Sequence, residues 1–435
     1  MLDIKFIKEN IEKVKYAVKA KKKEELIDID KLIDVHNNYL AILYSVEGAR
    51  AEKNRLSEDI GKVPQEDRQK YVERALEIKN KLKQFESDLE GTKKVFDSMM
   101  LLVPNVIADD VPAGKDESEN QVLRTWGEPK KFDFEVKDHV DIAVPLGIVD
   151  VETASKVTGS RHYYLKGAAV LLQFALVQYV LKTLGDGKII SELAAKVGNK
   201  YNKPFIPVVP PVLLKAEVAK KMDRFDPIDD RYYLEQDDQM LIGSAEHTLG
   251  PMFMDETLAA ADLPLRFIGY STAFRREAGT YGKDMRGMFR THQFDKLEME
   301  VFSTEEDGVK EQELIVTIQE YLVQQLEIPY QVMILCTGDM GKPDYKQIDI
   351  NCWLPGQNTY RETHTSDYMT DYQARRLNTR YKDLKGNLKF VHMNDATAFA
   401  IGRILIAIIE NYQQKDGSIV VPEVLRQYTG FDIIK

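Results

Sequence analysis

The chain has very few cysteines, and this shortage limits the chemistry it can carry out. Only Cys336 and Cys352 occur among its 435 residues, too few for a disulfide framework or a thiolate-rich zinc site. Its 7 histidines show no paired metal-ligand spacing, which argues against a zinc enzyme. The sequence therefore predicts a reducing compartment, the cytoplasm by default, and no zinc.

Positive charge and long apolar runs are also scarce. The net charge of −10 and the pI of about 5.4 argue against a protein that coats nucleic acid non-specifically, although a local basic patch stays compatible with them. The N-terminus lacks the apolar segment of a signal peptide, and we expect no later stretch to be long enough to span a bilayer. The sequence thus predicts no membrane role, and it predicts that any RNA contact is localised.

Two common nucleotide-binding motifs are missing. No G-x-x-x-x-G-K-[ST] loop occurs, and no G-x-G-x-x-G follows a strand-like run. A chain of 435 residues with 43% hydrophobic content can bury a sizeable core and exceeds a typical single domain. We expect two domains and, if the chain binds a nucleotide, a different fold for that task.

The first hundred residues predict an antiparallel pair of long helices. They are rich in Lys, Glu and Leu, and their apolar positions recur in steps of three and four, as in a coiled coil. The segment Gly61-Lys-Val-Pro64-Gln between the two apolar seams would turn the chain back, and each helix of about thirty residues would extend about 45 Å. The first seam comprises Leu32, Val35, Tyr39, Ile42, Val46, Ala49, Leu56 and Ile60, and the second Ala75, Ile78, Leu82, Phe85, Leu89, Phe96 and Met99.

The tip of this predicted hairpin is basic. Its cationic residues are Lys53, Arg55, Lys62, Arg68, Lys70 and Arg74. A coiled coil of this kind often serves only for dimerisation or as a spacer, whereas a basic tip also suits phosphate binding. A Pro- and Asp-rich connector follows, so the predicted division is a helical hairpin over 1–103, a linker over 104–130 and a second domain over 131–435.

The second domain is predicted to be α+β. Short β-branched and aromatic runs, such as those starting at Phe205, Leu265 and Leu297, alternate with amphipathic stretches without a regular strand-helix repeat. This pattern favours an antiparallel sheet with helices packed on one side over a doubly wound parallel fold.

One arginine-rich segment points to ATP. Phe274-Arg275-Arg276-Glu277-Ala278-Gly279 is followed by Arg290-Thr-His-Gln-Phe294-Asp-Lys-Leu-Glu298. The planar guanidinium of arginine binds phosphate bidentately and keeps its charge, so Arg275 and Arg290 suit a bent triphosphate. Taken alone, Arg-Arg-Glu is more often a solvated charge cluster. The complete spacing resembles motif 2 of class II aminoacyl-tRNA synthetases, and the seryl-tRNA synthetases above all.

Further segments resemble that family in the expected order, over essentially the whole chain. Pro211 lies in a segment similar to motif 1, the dimer-interface element, and the segment ending in Arg403 is similar to motif 3. Gly243-Ser244-Ala-Glu246-His matches a loop usually written Thr-x-Glu, and the N-terminal hairpin resembles the arm that contacts tRNA. The resemblance implies a class II antiparallel sheet flanked by helices, preceded by the coiled-coil hairpin, in a homodimer.

The resemblance also implies an activity and a set of site residues. Serine and ATP, with Mg²⁺, would give seryl-adenylate, and tRNA(Ser) would then take the seryl group; charging of selenocysteine tRNA is left open. The implied catalytic residues are Arg275, Arg290 and Arg403; the ATP-binding residues add Glu277, Phe294, Glu362 and Thr365, with Glu362 on Mg²⁺; the serine-binding residues are Ser244, Glu246, Arg275, Glu298 and Thr397; and the tRNA-binding residues are Lys53, Arg55, Lys62, Arg68 and Arg74.

Several residues depart from the family's usual pattern. Ser244 replaces Thr, Asp395 stands where Asn is common, Asn351 replaces a frequent Glu, and His364, Asp367 and Tyr368 are unusual at their positions. We interpret these departures as compensated drift, with altered substrate preference as the alternative. Two other hypotheses are a ligase that aminoacylates a carrier protein, whose known relatives lack the hairpin, and a catalytically silent paralogue that binds tRNA.

Overall fold

A computed structural model describes residues 1–277 and 286–435. Two residues of the predicted ATP motif, Ala278 and Gly279, lie outside the described residues. The chain divides into two compact units, Met1–Val106 and Ile107–Lys435.

The first unit is helical, with two short helices before two long ones. The helices are α1 (Ile4–Glu9), α2 (Ile11–Ala20), α3 (Ile29–Ile60) and α4 (Arg68–Leu102). Asp28 caps α3 by accepting hydrogen bonds from the backbone N–H groups of Asp30 and Lys31. Every residue of both predicted seams is buried or half-buried, whereas Lys53, which interrupts the first seam, is exposed. The predicted antiparallel hairpin, with its turn between Ile60 and Arg68, is confirmed.

The second unit combines many short elements with one large sheet. Its described helices are α5 (His139–Ala143), α6 (Val151–Thr158), α7 (Ala168–Gly185), α8 (Gly187–Lys196), α9 (Ala216–Lys221), α10 (Glu246–Leu249), α11 (Gly308–Gln325), α12 (Tyr372–Leu377), α13 (Ile401–Asn411) and α14 (Glu423–Thr429). Its described strands are β1 (Gln121–Trp126), β2 (Val149–Asp150), β3 (Tyr164–Leu165), β4 (Ile206–Val208), β5 (Leu213–Lys215), β6 (Tyr233–Leu234), β7 (Gln239–Leu241), β8 (Thr257–Ala259), β9 (Leu265–Phe274), β10 (Gln293–Ser303), β11 (Tyr330–Ile334), β12 (Lys346–Leu354), β13 (Thr359–Thr370), β14 (Arg380–Lys382), β15 (Leu388–Phe390), β16 (His392–Ala400), β17 (Ile419–Val420) and β18 (Ile433–Ile434).

The main sheet has eight strands in the order β1-β11-β12-β13-β16-β10-β9-β4. Every neighbouring pair is antiparallel except β4 and β9, which are parallel. The predicted α+β fold with an antiparallel sheet is confirmed, and the runs starting at Leu265 and Leu297 form β9 and most of β10.

Alternation along β10 separates the core from a polar face. Leu297, Met299 and Val301 are fully buried in the main hydrophobic cluster, together with residues of α7, α11 and α13. Because successive side chains of a strand point to opposite faces, Lys296, Glu298 and Glu300 lie on the other face. The polar face of the sheet is therefore where a site can form.

Helix α7 corrects one sequence-based expectation. Among the described residues it is the one helix whose 18 residues are long and apolar enough to cross a membrane, with a mean hydropathy of 1.5. Half of it is buried inside the fold, where it contacts β4, β9, α13 and α14. Its buried residues belong to the main hydrophobic core.

Candidate active site

A cavity opens on the polar face of the sheet. Strands β10, β13 and β16, helix α13 and the segments flanking β9 and β10 supply its walls. The lining residues are Arg275, Glu277, Met288, Phe289, Arg290, Thr291, Phe294, Lys296, Glu362, Thr363, Thr365, Thr397, Ala400, Gly402 and Arg403.

Two of the cavity's arginines flank the pairing of β9 with β10. Arg275 directly follows β9, and Arg290 lies three residues before β10, whose Gln293 pairs with Phe274. The Arg275 guanidinium lies 5.3 Å from the centre of the Phe294 ring, and its Nε donates a hydrogen bond to Gly243 O at 3.0 Å. Arg290 Nη1 lies 3.3 Å from Glu277 Oε2. The antiparallel register thus brings both arginines to one cavity.

A third arginine reaches the cavity from α13, which follows β16 without a loop. Arg403 Nη1 donates hydrogen bonds to Glu362 Oε1 at 2.7 Å and to Glu362 O at 2.9 Å. The Phe289 ring packs against the guanidinium groups of Arg403 and Arg361, at 4.6 Å and 4.0 Å from its centre. These contacts hold the Arg403 guanidinium at the cavity, next to the segment that carries Arg290.

An acidic pocket adjoins the cavity through Lys296. Lys296 Nζ donates a hydrogen bond to Ser244 Oγ at 3.0 Å and lies 2.6 Å from Glu298 Oε2. Glu246, at the start of α10, comes close to Glu298 and Asp395, with one carboxylate oxygen of each residue within 4.8 Å of the others. The bare Cα of Gly269 permits this approach, since a Cβ there would lie 2.7 Å from Leu249 Cδ1.

The carboxyl groups of this pocket differ in their pKa values. Burial raises the pKa of Glu298 to about 8, with Lys296 opposing the shift, and burial with the neighbouring Glu246 raises the pKa of Asp395 to about 7. Burial alone would also raise the pKa of Glu246, but Arg224 and Lys296 hold it below its usual value. Glu246 is therefore the carboxylate that stays ionised at neutral pH.

Two threonines lie where the acidic pocket meets the cavity. Thr365 on β13 and Thr397 on β16 lie with their hydroxyl oxygens 3.3 Å apart. Gln319 of α11 donates hydrogen bonds to the backbone oxygens of both, at 2.7 Å and 2.8 Å. The helix on the core side therefore fixes the spacing of two strands at the site.

The structure brings most of the predicted site residues together. Arg275, Glu277, Arg290, Phe294, Glu362, Thr365, Thr397 and Arg403 line the cavity, and Ser244, Glu246 and Glu298 form the adjoining pocket. The predicted tRNA-binding residues Lys53, Arg55, Lys62, Arg68 and Arg74 belong to the other unit, where all are exposed at the tip of the hairpin.

Sequence reasoning missed three residues of this site. Lys296 stands inside the arginine-rich motif, so its position gave a signal that was not used. Phe289 and Arg224 had no recognisable local pattern. Of the unusual residues, His364 is fully buried and its ring contacts Phe399 of the core; burial lowers its pKa to about 3, so it is a neutral core residue.

The oxygen donors in the cavity suit a hard divalent cation. Glu362, whose side chain is 45% exposed, and the Thr365 hydroxyl both line the cavity. Mg²⁺ prefers carboxylate and other oxygen ligands. The site as a whole offers three guanidinium groups for phosphates, oxygens for Mg²⁺ and an anionic pocket for an amine.

Comparisons with known proteins match both units of the chain. Residues 231–412 match the family profile described as tRNA synthetase class II core domain (G, H, P, S and T), and residues 1–107 match that of the Seryl-tRNA synthetase N-terminal domain. The chain is 38% identical over 439 residues to the serine–tRNA ligase of Dictyoglomus turgidum, covering 100% of this chain and 99% of the relative. It is 39% identical to the enzyme of Treponema denticola, covering all of both chains.

Solved structures are similar over the same length. The seryl-tRNA synthetase from Pyrococcus horikoshii complexed with ATP superposes with a TM-score of 0.90 at 35% identity, covering 100% of this chain and 99% of the other. The cytoplasmic enzyme of Naegleria fowleri in complex with AMP gives a TM-score of 0.85 at 28% identity, with the same coverage. Fold and site together define the core of a class II aminoacyl-tRNA synthetase. Within that class, the chain belongs to the seryl-tRNA synthetase family.

Proposed function

We propose that the chain activates L-serine with ATP, releases pyrophosphate and transfers the seryl group to the 3′ end of tRNA(Ser). The observation that carries this proposal is the convergence of Arg275, Arg290 and Arg403 on one cavity beside a carboxylate pocket. Pyrophosphate-forming activation of an amino acid needs cations for the phosphates and anions for the ammonium, and both are present side by side.

The first step joins two anions, since the serine carboxylate attacks the α-phosphorus of ATP. Arg275 would neutralise the α-phosphate, and Arg290 and Arg403 would hold the β- and γ-phosphates of the bent nucleotide, so that charge in the transition state is stabilised by preorganised donors. Glu277 and Phe294 would bind adenine by hydrogen bonding and stacking. When bound, Mg²⁺ on Glu362 and Thr365 would supply further charge neutralisation.

The acidic pocket would select the amino acid. Glu246 and Glu298 would accept hydrogen bonds from the serine ammonium, and Ser244 and Thr397 offer hydroxyl groups next to them. A buried polar pocket of this type discriminates against alanine, because the missing hydroxyl leaves site groups unpaired, by about 10⁴-fold in comparable sites.

We extend the proposal to a homodimer. One face of α7 exposes Leu171 and Phe174, at 52% and 46%, and Ile206 and Val209 of the segment similar to motif 1 are 52% and 81% exposed. Such an apolar surface is typical of a subunit interface.

The exposed basic hairpin tip would bind tRNA phosphates. The proposed compartment is the cytoplasm.

ATP-pyrophosphate exchange with each amino acid in turn, without tRNA, tests the activation step. We expect exchange with serine alone, and we expect Arg403→Ala to reduce kcat by about 10²-fold or more. Exchange with another amino acid would identify the unusual pocket residues as specificity determinants. Background exchange with retained tRNA binding would instead support the silent paralogue, and charging of a carrier protein but not of tRNA would support the carrier-protein ligase.

A further inference from the structure

Arg224 is a largely buried arginine beside the acidic pocket. It lies in the loop after α9, where its backbone N–H donates to Ala219 O at 2.9 Å and its carbonyl accepts a hydrogen bond from Arg231 Nε at 3.0 Å. Its side chain is only 15% exposed. A cationic side chain fixed in this way, with a backbone anchored on both sides, presents its guanidinium in one place.

The Arg224 guanidinium bridges two carboxylates of the pocket. Its Nε lies 3.0 Å from Glu246 Oε1, and its Nη2 donates a hydrogen bond to Asp395 Oδ2 at 3.2 Å. The planar fork of a guanidinium fixes the positions of both partners relative to each other, which a lysine ammonium does not do. Arg224 therefore sets the geometry of Glu246 against Asp395.

Two of the unusual residues, Asp367 and Asp395, lie side by side next to this bridge. In the sheet register Asp395 of β16 pairs with Asp367 of β13 on one side and with Glu300 of β10 on the other. Three carboxyl groups thus stand in one row across neighbouring strands. Lys296 contacts Glu298 and Ser244. In the described part of the chain, Arg224 is therefore the cation that contacts this row, through Asp395.

Arg224 also determines which carboxylate oxygen of Asp395 remains available to a substrate. Asp395 is 1% exposed, and its Oδ1 has no hydrogen-bond partner among the described residues, because Arg224 engages Oδ2 alone. Burying an acceptor without a partner is costly. A substrate that donates a hydrogen bond to this oxygen removes that cost.

We propose that Arg224 is a positioning residue of the amino-acid pocket, which bridges Glu246 and Asp395 so that the first meets the substrate ammonium and the second accepts a hydrogen bond from the substrate. The inference rests on the proposed function of this pocket. Arg224 acts through the two carboxylates and is assigned no contact with the nucleotide. Arg224 balances the negative charge of Asp395, and Asp395 in turn takes part in substrate binding.

The test measures ATP-pyrophosphate exchange for the wild type, Arg224→Gln, Asp395→Asn and the double variant, varying serine and ATP separately. We expect Arg224→Gln to raise KM for serine by about tenfold or more, since a charged hydrogen bond to Asp395 and an ion pair with Glu246 are lost, and to leave KM for ATP within about twofold. The double variant should lose less than the two single losses combined, because the unpaired Asp395 charge is gone. Arg124→Gln, which breaks the Arg124–Glu320 pair on edge strand β1, is the matched control and should leave both KM values unchanged.

The same measurements distinguish an error in the proposed function from an error in the positioning role of Arg224. If the wild type shows no serine-dependent exchange, the proposed function itself is wrong. If the wild type is active but Arg224→Gln leaves KM for serine within about twofold, or raises both KM values equally with a lowered melting temperature, the positioning role is wrong while the function stands. Should Arg224→Gln not fold, Arg224→Lys decides by the same split, because it keeps the charge but loses the bridge.

Discussion

The carboxyl groups of the proposed amino-acid pocket would make serine binding depend on pH. The pKa of Glu298 is raised to about 8 and that of Asp395 to about 7, in both cases chiefly by burial. A substrate ammonium binds the ionised forms, so at a pH below these values binding must displace a proton. We therefore expect serine affinity to be weak in acid and to improve as the pH rises through about 7 to 8.

We expect KM for serine in ATP-pyrophosphate exchange to fall between about pH 6 and pH 8.5, by at most about tenfold per pH unit for each proton displaced. KM for ATP, measured in the same buffers, is the internal control and should change less. Asp395→Asn should remove the lower transition and keep the upper one. A flat profile for serine in the wild type would show that both carboxyl groups are already ionised.

Glu300 offers a second prediction for a single residue, this time for stability. It is fully buried, and neither carboxyl oxygen has a hydrogen-bond partner among the described residues. Burial, with Asp395 and Glu246 adding to it, raises the pKa of Glu300 well above its usual value. Between the unfolded and the folded pKa, the folded state binds one proton more than the unfolded state, so its stability decreases as the pH rises.

Glu300→Gln removes this titration and should therefore be more stable relative to wild type at pH 8 than at pH 5. The difference in the free energy of unfolding should grow by up to about 1.4 kcal/mol per pH unit in that window. Denaturant unfolding at several pH values measures it. A difference that is the same at pH 5 and pH 8 would contradict a protonated Glu300.

At the scale of elements, helix α5 supports the end of the arginine-bearing segment before β10. His139, at the first position of α5, accepts a hydrogen bond from Met288 N at its Nε2 (3.3 Å), and its Nδ1 lies 3.2 Å from the buried Glu410 of α13. Arg286 pairs with Asp138 and Asp141 at the same helix end. Since Met288 lines the cavity, α5 and α13 together hold one wall of the nucleotide site.

Gly287→Ala tests this support. A Cβ at this position would overlap the His139 ring and lie 2.7 Å from Val140 Cγ2, at a backbone φ of +84°. We expect a raised KM for ATP and a loss of stability beyond the roughly 1 to 2 kcal/mol of left-handed strain alone. Gly417→Ala is a matched control, because its φ is +85° with no atom near the new Cβ; equal effects of both variants on KM for ATP would exclude a role for α5.

The elements differ in how far the sequence predicts them. The hairpin follows from the periodic apolar seams and one breaker, which are local signals, and all its seam residues are at least half-buried. The strand order was not predictable, since pairing β10 with both β9 and β16 depends on contacts distant in sequence. The same holds for Arg224, whose partners Glu246 and Asp395 lie 22 and 171 positions further along the chain.

At the scale of the whole molecule, the proposed function divides between the two units. The second unit contains every residue proposed for activation, from Arg224 to Arg403, whereas the proposed tRNA-binding residues lie on the hairpin of the first. Variants of the hairpin tip should therefore affect charging of tRNA and leave activation of serine intact.

Charge reversal of the tip in the full chain tests that division. Lys62 in the turn and Arg68 at the start of α4 are both exposed, and cations that contact phosphates contribute to binding through release of counterions. We expect Lys62→Glu with Arg68→Glu to raise KM for tRNA by about tenfold or more and to make its salt dependence shallower by about one unit per lost contact. Serine-dependent pyrophosphate exchange should stay at the wild-type rate. Lys385→Glu with Lys415→Glu changes the net charge equally at exposed positions of the second unit, so an equal loss of charging in that control would indicate a general charge effect and not a tRNA site at the tip.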